Sequence, residues 1–281
     1  MKDFLPLFTC LYDNPTLLPF HIGGLIQPGQ YKSFGVNNQD ALAIAVGKKY
    51  IAGVVCDGCA GTTNADYNSA SFNELGAYVL STVIINAIRD KVSETDDPEE
   101  LLYKLDKYAR RRLIDILKPM LSYKKRTKNG IEYVLFNMLS ATVVGIVLTE
   151  KFFVIFNYGD GICGINSNLS DFEDFSGKYY TQTLFQPKNS PHCFNVFAKG
   201  SIDEIDNAVI GTDGMMDFLD SPNNELVKFL EPNENWPLIQ GLDDTMQFTK
   251  EFRVRVSMPF NKRTNLTSFD DRAVIIIRRI K

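Results

Sequence analysis

Apolar positions recur along this chain with two different periods. Near-continuous apolar runs at 41–47 (ALAIAVG) and 50–56 (YIAGVVC), joined by Lys48 and Lys49, predict a β-hairpin. Runs at 139–148 and 152–158, parted by residues 149–151, predict a second one. Between the hairpins, residues 68–89 and 101–117 carry small and apolar residues at helical spacing, separated by a charged break that contains Pro98. Two long helices are expected there. Further along, 166–178 reads as polar and turn-rich, and strand-like pieces follow at 179–185, 193–198 and 207–212. Short helices are expected at 215–219 and 224–230, a helical segment within 236–253, and a closing strand at 272–279. The stretch before residue 41 reads as an irregular entry rich in proline and glycine. Hairpins that alternate with helix pairs, rather than with single crossover helices, predict an α+β fold of antiparallel sheets with helices packed outside. No repeat or linker composition interrupts the pattern, so one domain over 1–281 is expected.

Composition narrows the class. With 281 residues and 44% hydrophobic content the chain is able to bury a large core, which excludes general disorder. A formal net charge of -4, from 30 basic and 34 acidic residues, leaves no footprint for nucleic acid or an anionic membrane surface. No apolar run is long enough to span a bilayer, and MKDFLPLFTC, interrupted by Asp3 and Pro6, makes a poor signal peptide. Five cysteines, an odd number, fit reduced thiols better than a disulfide framework. A cytoplasmic protein with small polar or protein partners is expected.

Three apolar strands run into acidic residues: VVCDG at 54–58, VIGTDG at 209–214 and DDRAVIII at 270–277. They set Asp57, Asp213 and Asp270 at strand ends, and NYGDG at 157–161 adds Asp160 behind the second hairpin. Each motif alone also reads as a turn, because Asp-Gly is a common turn dipeptide and Asp a common helix N-cap. Together they suggest convergence, and carboxylates crowd stably only around a cation. Divalent metal ions are the simplest such cation, which makes a metal-dependent hydrolase the leading reading.

Six motifs occur in order: NNQDA (37–41), VVCDGCAG (54–61), LSATVVG (139–145), NYGDG (157–161), IGTDGMMD (210–217) and SFDDRAVI (268–275). In order and spacing the chain resembles the protein phosphatase 2C-like family of metal-dependent Ser/Thr phosphatases, from about residue 20 to its end. The resemblance implies a four-layer α-β-β-α sandwich, two antiparallel sheets packed face to face with helices on both outer faces. It implies that Asp57 bridges two Mg²⁺ or Mn²⁺ ions, with the Gly58 carbonyl on one of them, and that Asp213 and Asp270 complete the pair. Asp160 matches the position that helps hold a third, weaker ion, and Asp40, beside Gln39, would act in the outer shell through metal-bound water. An all-oxygen donor set suits both metals, and neither histidine is needed. The implied activity is hydrolysis of phosphoserine and phosphothreonine in proteins, opposing a Ser/Thr kinase, by direct attack of a metal-bridging water.

The sequence departs from the family pattern on the phosphate-gripping side. Gln39 stands where an acidic residue is common, and Gly35 where many members carry an arginine. Lys32 is the nearest basic candidate for the substrate phosphate, but it lacks the two-pronged guanidinium fork. Cys59 replaces a histidine found in some members. These departures keep open a second reading, a weakly active or inactive relative that binds phosphoproteins.

Cys56 and Cys59 form a C-x-x-C, a redox or zinc signal, yet no second C-x-x-C completes a zinc site and the residues that follow are loop-like. Cys56 is expected to face the core and Cys59 to sit beside the metals. His21 and His192 read as loop or surface residues, and Lys124, Lys125, Arg126 and Lys128 as a solvated hairpin tip. The acidic stretch 171–174 falls where family members carry a variable flap, a place to influence partner choice.

Overall fold

The structure is a computed structural model that describes residues 8–12, 16–27, 39–58, 73–123, 139–166, 168–172, 179–185, 193–216 and 271–280. The first predicted hairpin forms over its expected bounds as β3 (Ala41–Gly47) and β4 (Tyr50–Cys56). Ala41 lies opposite Cys56 and Gly47 opposite Tyr50, so the chain enters β3 and leaves β4 at the same end. β5 (Val143–Thr149) and β6 (Phe152–Tyr158) form the second hairpin. With β1 (Phe8–Tyr12) and β9 (Asn195–Ser201) these strands make a six-stranded sheet ordered β1-β3-β4-β5-β6-β9. A five-stranded sheet ordered β2-β11-β10-β7-β8 is built from β2 (Phe20–Gln27), β7 (Gly161–Ile165), β8 (Asn168–Phe172), β10 (Asn207–Gly211) and β11 (Arg272–Arg279). Among the described residues every pairing is antiparallel except that of β1 with β3 at the sheet edge, which is parallel.

Side-chain size sorts the layers. Along β3 and β4 the small residues Ala41, Ala43, Ala45 and Ala52 face the helices α1 (Asn73–Lys91) and α2 (Pro98–Tyr123). Larger Leu42, Ile44, Val46, Ile51 and Val55 face the other sheet, where they meet Ala208, Ile210, Ala273, Ile275 and Ile277. Small residues on one face let α1 lie close, and its Ala77, Leu80, Ile84 and Ile88 are fully buried there. The two sheets touch closely as well, since a Cβ on Gly53 would stand 2.9 Å from the Ile275 side chain. On the opposite face of the five-stranded sheet, Val209, Val274 and Ile276 are also buried, as an inner layer of a four-layer sandwich requires. The helical segments expected at 224–230 and 236–253 lie outside the described residues. That at 215–219 is described only to Met216, which ends a 3-10 turn over Asp213–Met215. Among the described residues no helix is long and apolar enough to cross a membrane.

Four expectations need correction. The irregular entry contains two edge strands, β1 and β2, whose signal is weakened by Gly23 and Gly24 and by the shortness of β1. The turn-rich 166–178 contains β8, whose polar sequence suits an edge strand bonded, among the described residues, to β7 alone, and β7 itself had no predicted counterpart. Residues 179–185 form a 3-10 helix over Tyr180–Phe185 instead of a strand. Its β-branched threonines misled: Thr183 Oγ1 bonds locally, donating to the Tyr180 carbonyl at 2.7 Å, which favours the turn over a strand. Of the two readings of His21, loop or surface, the loop is set aside, since His21 lies in β2 opposite Arg278.

Candidate active site

Strand polarity brings the acidic motifs to one end of the sandwich. Asp40 precedes β3 and Asp57 follows β4, whose paired termini are Ala41 and Cys56. Thr142 precedes β5 and clasps Asp57 through the backbone: its N–H donates to the Asp57 carbonyl at 3.0 Å, and its hydroxyl accepts the Asp57 N–H at 3.4 Å. The Gly58 N–H donates to the Gln39 carbonyl at 3.2 Å, so the two acidic turns of the hairpin are tied together. In the second sheet, Thr212 and Asp213 follow β10 and Asp271 precedes β11, at strand ends that pair through Gly211 and Val274.

Hydrogen bonds join the sheets at this end. Thr212 Oγ1 donates to Asp40 Oδ2 at 2.6 Å while accepting the Ala273 N–H at 2.9 Å, and Asp271 Oδ2 accepts the Gln39 N–H at 2.7 Å. Asp160 arrives by the turn from β6 to β7, which crosses from one sheet to the other. That turn needs its glycines: Gly159 and Gly161 hold φ values of 93° and 137°, and a Cβ on Gly159 would press on Thr142 at 2.7 Å. The Asn157 side-chain amide braces the turn by donating to the Gly159 carbonyl at 2.6 Å.

The electrostatics test the fit of a cation. Asp40 is buried, and burial first, then the charges of Asp57, Asp271 and Asp213, push its carboxyl well above the usual range. The hydroxyl of Thr212 works the other way by donating to the ionised form. Four acidic side chains thus lie within charge range at one strand-end cluster, and their donor atoms are all oxygen, the set that hard divalent cations take. Among the described residues no group of three or more His, Cys, Asp or Glu is drawn into a single ligand sphere. These carboxylates therefore share a field without converging on one point. In the chemistry of their donor atoms the residues fit Mg²⁺ or Mn²⁺.

Of the residues singled out in the sequence, Asp40, Gln39, Asp57, Gly58, Asp160 and Asp213 lie at this end. Asp270, Lys32, Gly35, Cys59, His192 and the run 124–128 lie outside the described residues, and of 171–174 only Asp171 and Phe172 are described, in β8. Three contributors escaped the reading: Thr142, Thr212 and Asp271. Each sits inside a quoted motif, Thr212 directly before Asp213 and Asp271 as the second member of an Asp pair. Cys56 is buried on the helix side of β4. Burial, followed by the charges of Asp40 and Asp57, pushes its thiol well above the usual range, the opposite of a reactive thiolate. In the native protein Cys56 is expected to resist iodoacetamide at neutral pH and to react once unfolded, as read by peptide mass spectrometry. Rapid native alkylation would restore the redox reading of the C-x-x-C.

The sequence model of the protein phosphatase 2C family matches residues 32–248. Among solved structures, the chain is similar to a bacterial serine phosphatase at 14% identity, covering 92% of this chain and 97% of that one with a TM-score of 0.53. It is similar to the S. agalactiae serine/threonine phosphatase at 17% identity, covering 92% and 99%, also with a TM-score of 0.53. Likeness to the serine/threonine phosphatase Stp1 from Staphylococcus aureus is 16% identity over 95% and 96%, with a TM-score of 0.51. At such identities these likenesses establish the fold alone. No curated protein matches the sequence.

Proposed function

We propose that this chain, which belongs to the protein phosphatase 2C family, hydrolyses phosphoserine and phosphothreonine in proteins with the help of Mg²⁺ or Mn²⁺. The observation that carries the proposal is the buried Asp40 set among the charges of Asp57, Asp213 and Asp271 at one end of the sandwich. Such a field favours a bound cation over an empty site. Asp57, the Gly58 carbonyl, Asp213 and Asp270 would hold two ions, and Asp160 would contribute to a third. When bound, such ions polarise phosphoryl oxygens and lower the pKa of water.

The chain's own residues then have distinct tasks. Thr142 fixes the turn that carries Asp57. Thr212 orients the Asp40 carboxylate toward its task in the outer shell, and Asp271 holds the Gln39 backbone that precedes it. Lys32 would supply charge to the substrate phosphate. No side-chain nucleophile is required, because water would attack phosphorus, the Ser or Thr oxygen would leave as the free hydroxyl, and inorganic phosphate would be released without a phosphoenzyme. A phosphoprotein substrate, an opposing Ser/Thr kinase and a cytoplasmic location follow from this reading.

The test is hydrolysis of para-nitrophenyl phosphate and of a phosphothreonine peptide with Mn²⁺ and with chelator. Turnover is expected with Mn²⁺ and its loss with chelator. Turnover indifferent to chelator, or phosphopeptide binding with no turnover under any condition, would overturn the proposal, the second outcome in favour of a phosphoprotein-binding relative.

A further inference from the structure

A buried polar cluster lies on the helix side of the six-stranded sheet. Asp106, on α2, is fully buried. Its carboxylate accepts from Arg110 Nε at 3.0 and 3.2 Å, from the Tyr180 hydroxyl at 3.0 Å and from the Cys193 thiol at 3.0 Å. Arg110 reaches on to the 3-10 helix, where Nη1 donates to the Thr183 carbonyl at 2.6 Å and Nη2 to Thr183 Oγ1 at 3.0 Å. A buried ion pair with this many donors is costly to assemble and offers little stability over an apolar core, so its presence asks for another reason.

The reason lies in what Tyr180 and Thr181 touch next. The Tyr180 N–H donates to the Ala141 carbonyl at 3.2 Å, and Thr181 Oγ1 donates to the Leu139 carbonyl at 2.9 Å. Residues 139–142 are the segment whose last member, Thr142, clasps the Asp57 backbone. The Tyr180 ring stacks on Phe194 at 5.3 Å between centroids and meets Tyr158 edge-on at 5.9 Å, two residues before Asp160. Burial, then the charges of Cys193 and Asp106, push the Tyr180 hydroxyl well above its usual range, so it remains a proton donor.

We infer that the Asp106, Arg110 and Tyr180 cluster is a positioning device for the acidic site, holding residues 139–142 and through them Asp57 at the geometry that binds divalent metal. The inference rests on the proposed metal-dependent reading. Tyr180 and Thr181 are positioning residues, acting on Asp57 only through Thr142. Outer partners of metal ligands carry much of a site's affinity because they fix where the ligands point.

Two variants test it. Tyr180→Phe removes the hydroxyl bonded to Asp106 and keeps the ring; Thr181→Val removes one hydroxyl bonded to Leu139 and leaves the ion pair intact. Mn²⁺ affinity, measured by calorimetric titration without substrate, is expected to weaken in each, by less than the roughly tenfold that loss of a partner bonded directly to a ligand costs. Turnover at saturating Mn²⁺ should stay near wild type, and Thr181→Ser, which keeps the donor, should restore the affinity. Unchanged Mn²⁺ affinity in both variants would overturn the inference, whatever happens to their melting temperatures. If wild-type protein bound no Mn²⁺, the metal-dependent reading itself would fall, a result distinct from wild-type binding that both variants share.

Discussion

Asp57→Ala is expected to abolish Mn²⁺-dependent phosphatase turnover and Mn²⁺ binding together, while leaving the fold intact. The local structure of Asp57 is held by its backbone, through both partners offered by Thr142, so truncating the carboxylate spares those bonds. The substitution also takes one negative charge from the neighbourhood of the buried Asp40. The metal-free variant should therefore melt at or slightly above the wild-type temperature, since like-charge repulsion in the empty cluster is relieved. Stabilisation by metal supplies the contrast. Wild-type protein gains about 2.7 kcal/mol at a Mn²⁺ concentration 100 times its dissociation constant, and a variant without the site gains nothing. Thermal melts with and without Mn²⁺, beside the phosphopeptide assay, read both halves. An Asp57→Ala protein that kept Mn²⁺-dependent turnover would sink the assignment of Asp57 as the bridging ligand.

The same residue shows how far the sequence could be read. The β3–β4 hairpin was legible to its ends because both faces of each strand are buried, which writes an uninterrupted apolar run that stops where burial stops. Asp57 was legible because an Asp-Gly pair ends such a run. Its couplings were not. Thr212 meets Asp40 across 172 residues of sequence, and Asp271 meets Gln39 across 232, in bonds that exist only once the two sheets are stacked. Local pattern carries no record of such pairings. The edge strands fail for the opposite reason: β8, with one neighbouring strand among the described residues, has no need of the apolar alternation by which strands are recognised. Asp106 was hidden in a helical period whose apolar members, Leu101, Leu102, Leu105 and Ala109, explain the helix without it.

Gly214→Ala is expected to damage stability and metal binding at once, because this glycine is where the second sheet closes on itself beside Asp213. A Cβ there would lie 1.9 Å from the Asp271 carbonyl oxygen and 3.1 Å from the Arg272 side chain. The first of these is backbone, and it has no room to yield. Asp271 is tied to the Gln39 N–H, and Ala273, two residues further on in β11, exchanges bonds with Thr212: its N–H donates to Thr212 Oγ1 at 2.9 Å and its carbonyl accepts the Thr212 N–H at 3.0 Å. The clash is relieved only by parting the Asp213 turn from the start of β11, which strains the Thr212 hydroxyl that orients Asp40. Overpacking of this kind costs about 3 kcal/mol. In a chain of this size that lowers the melting temperature by roughly 5 °C. Mn²⁺ affinity should fall with it, since Asp213 is displaced relative to the carboxylates of the other strand ends. A variant that melts normally and binds Mn²⁺ normally would mean that β10 and β11 do not need this close approach to bring their acidic ends together.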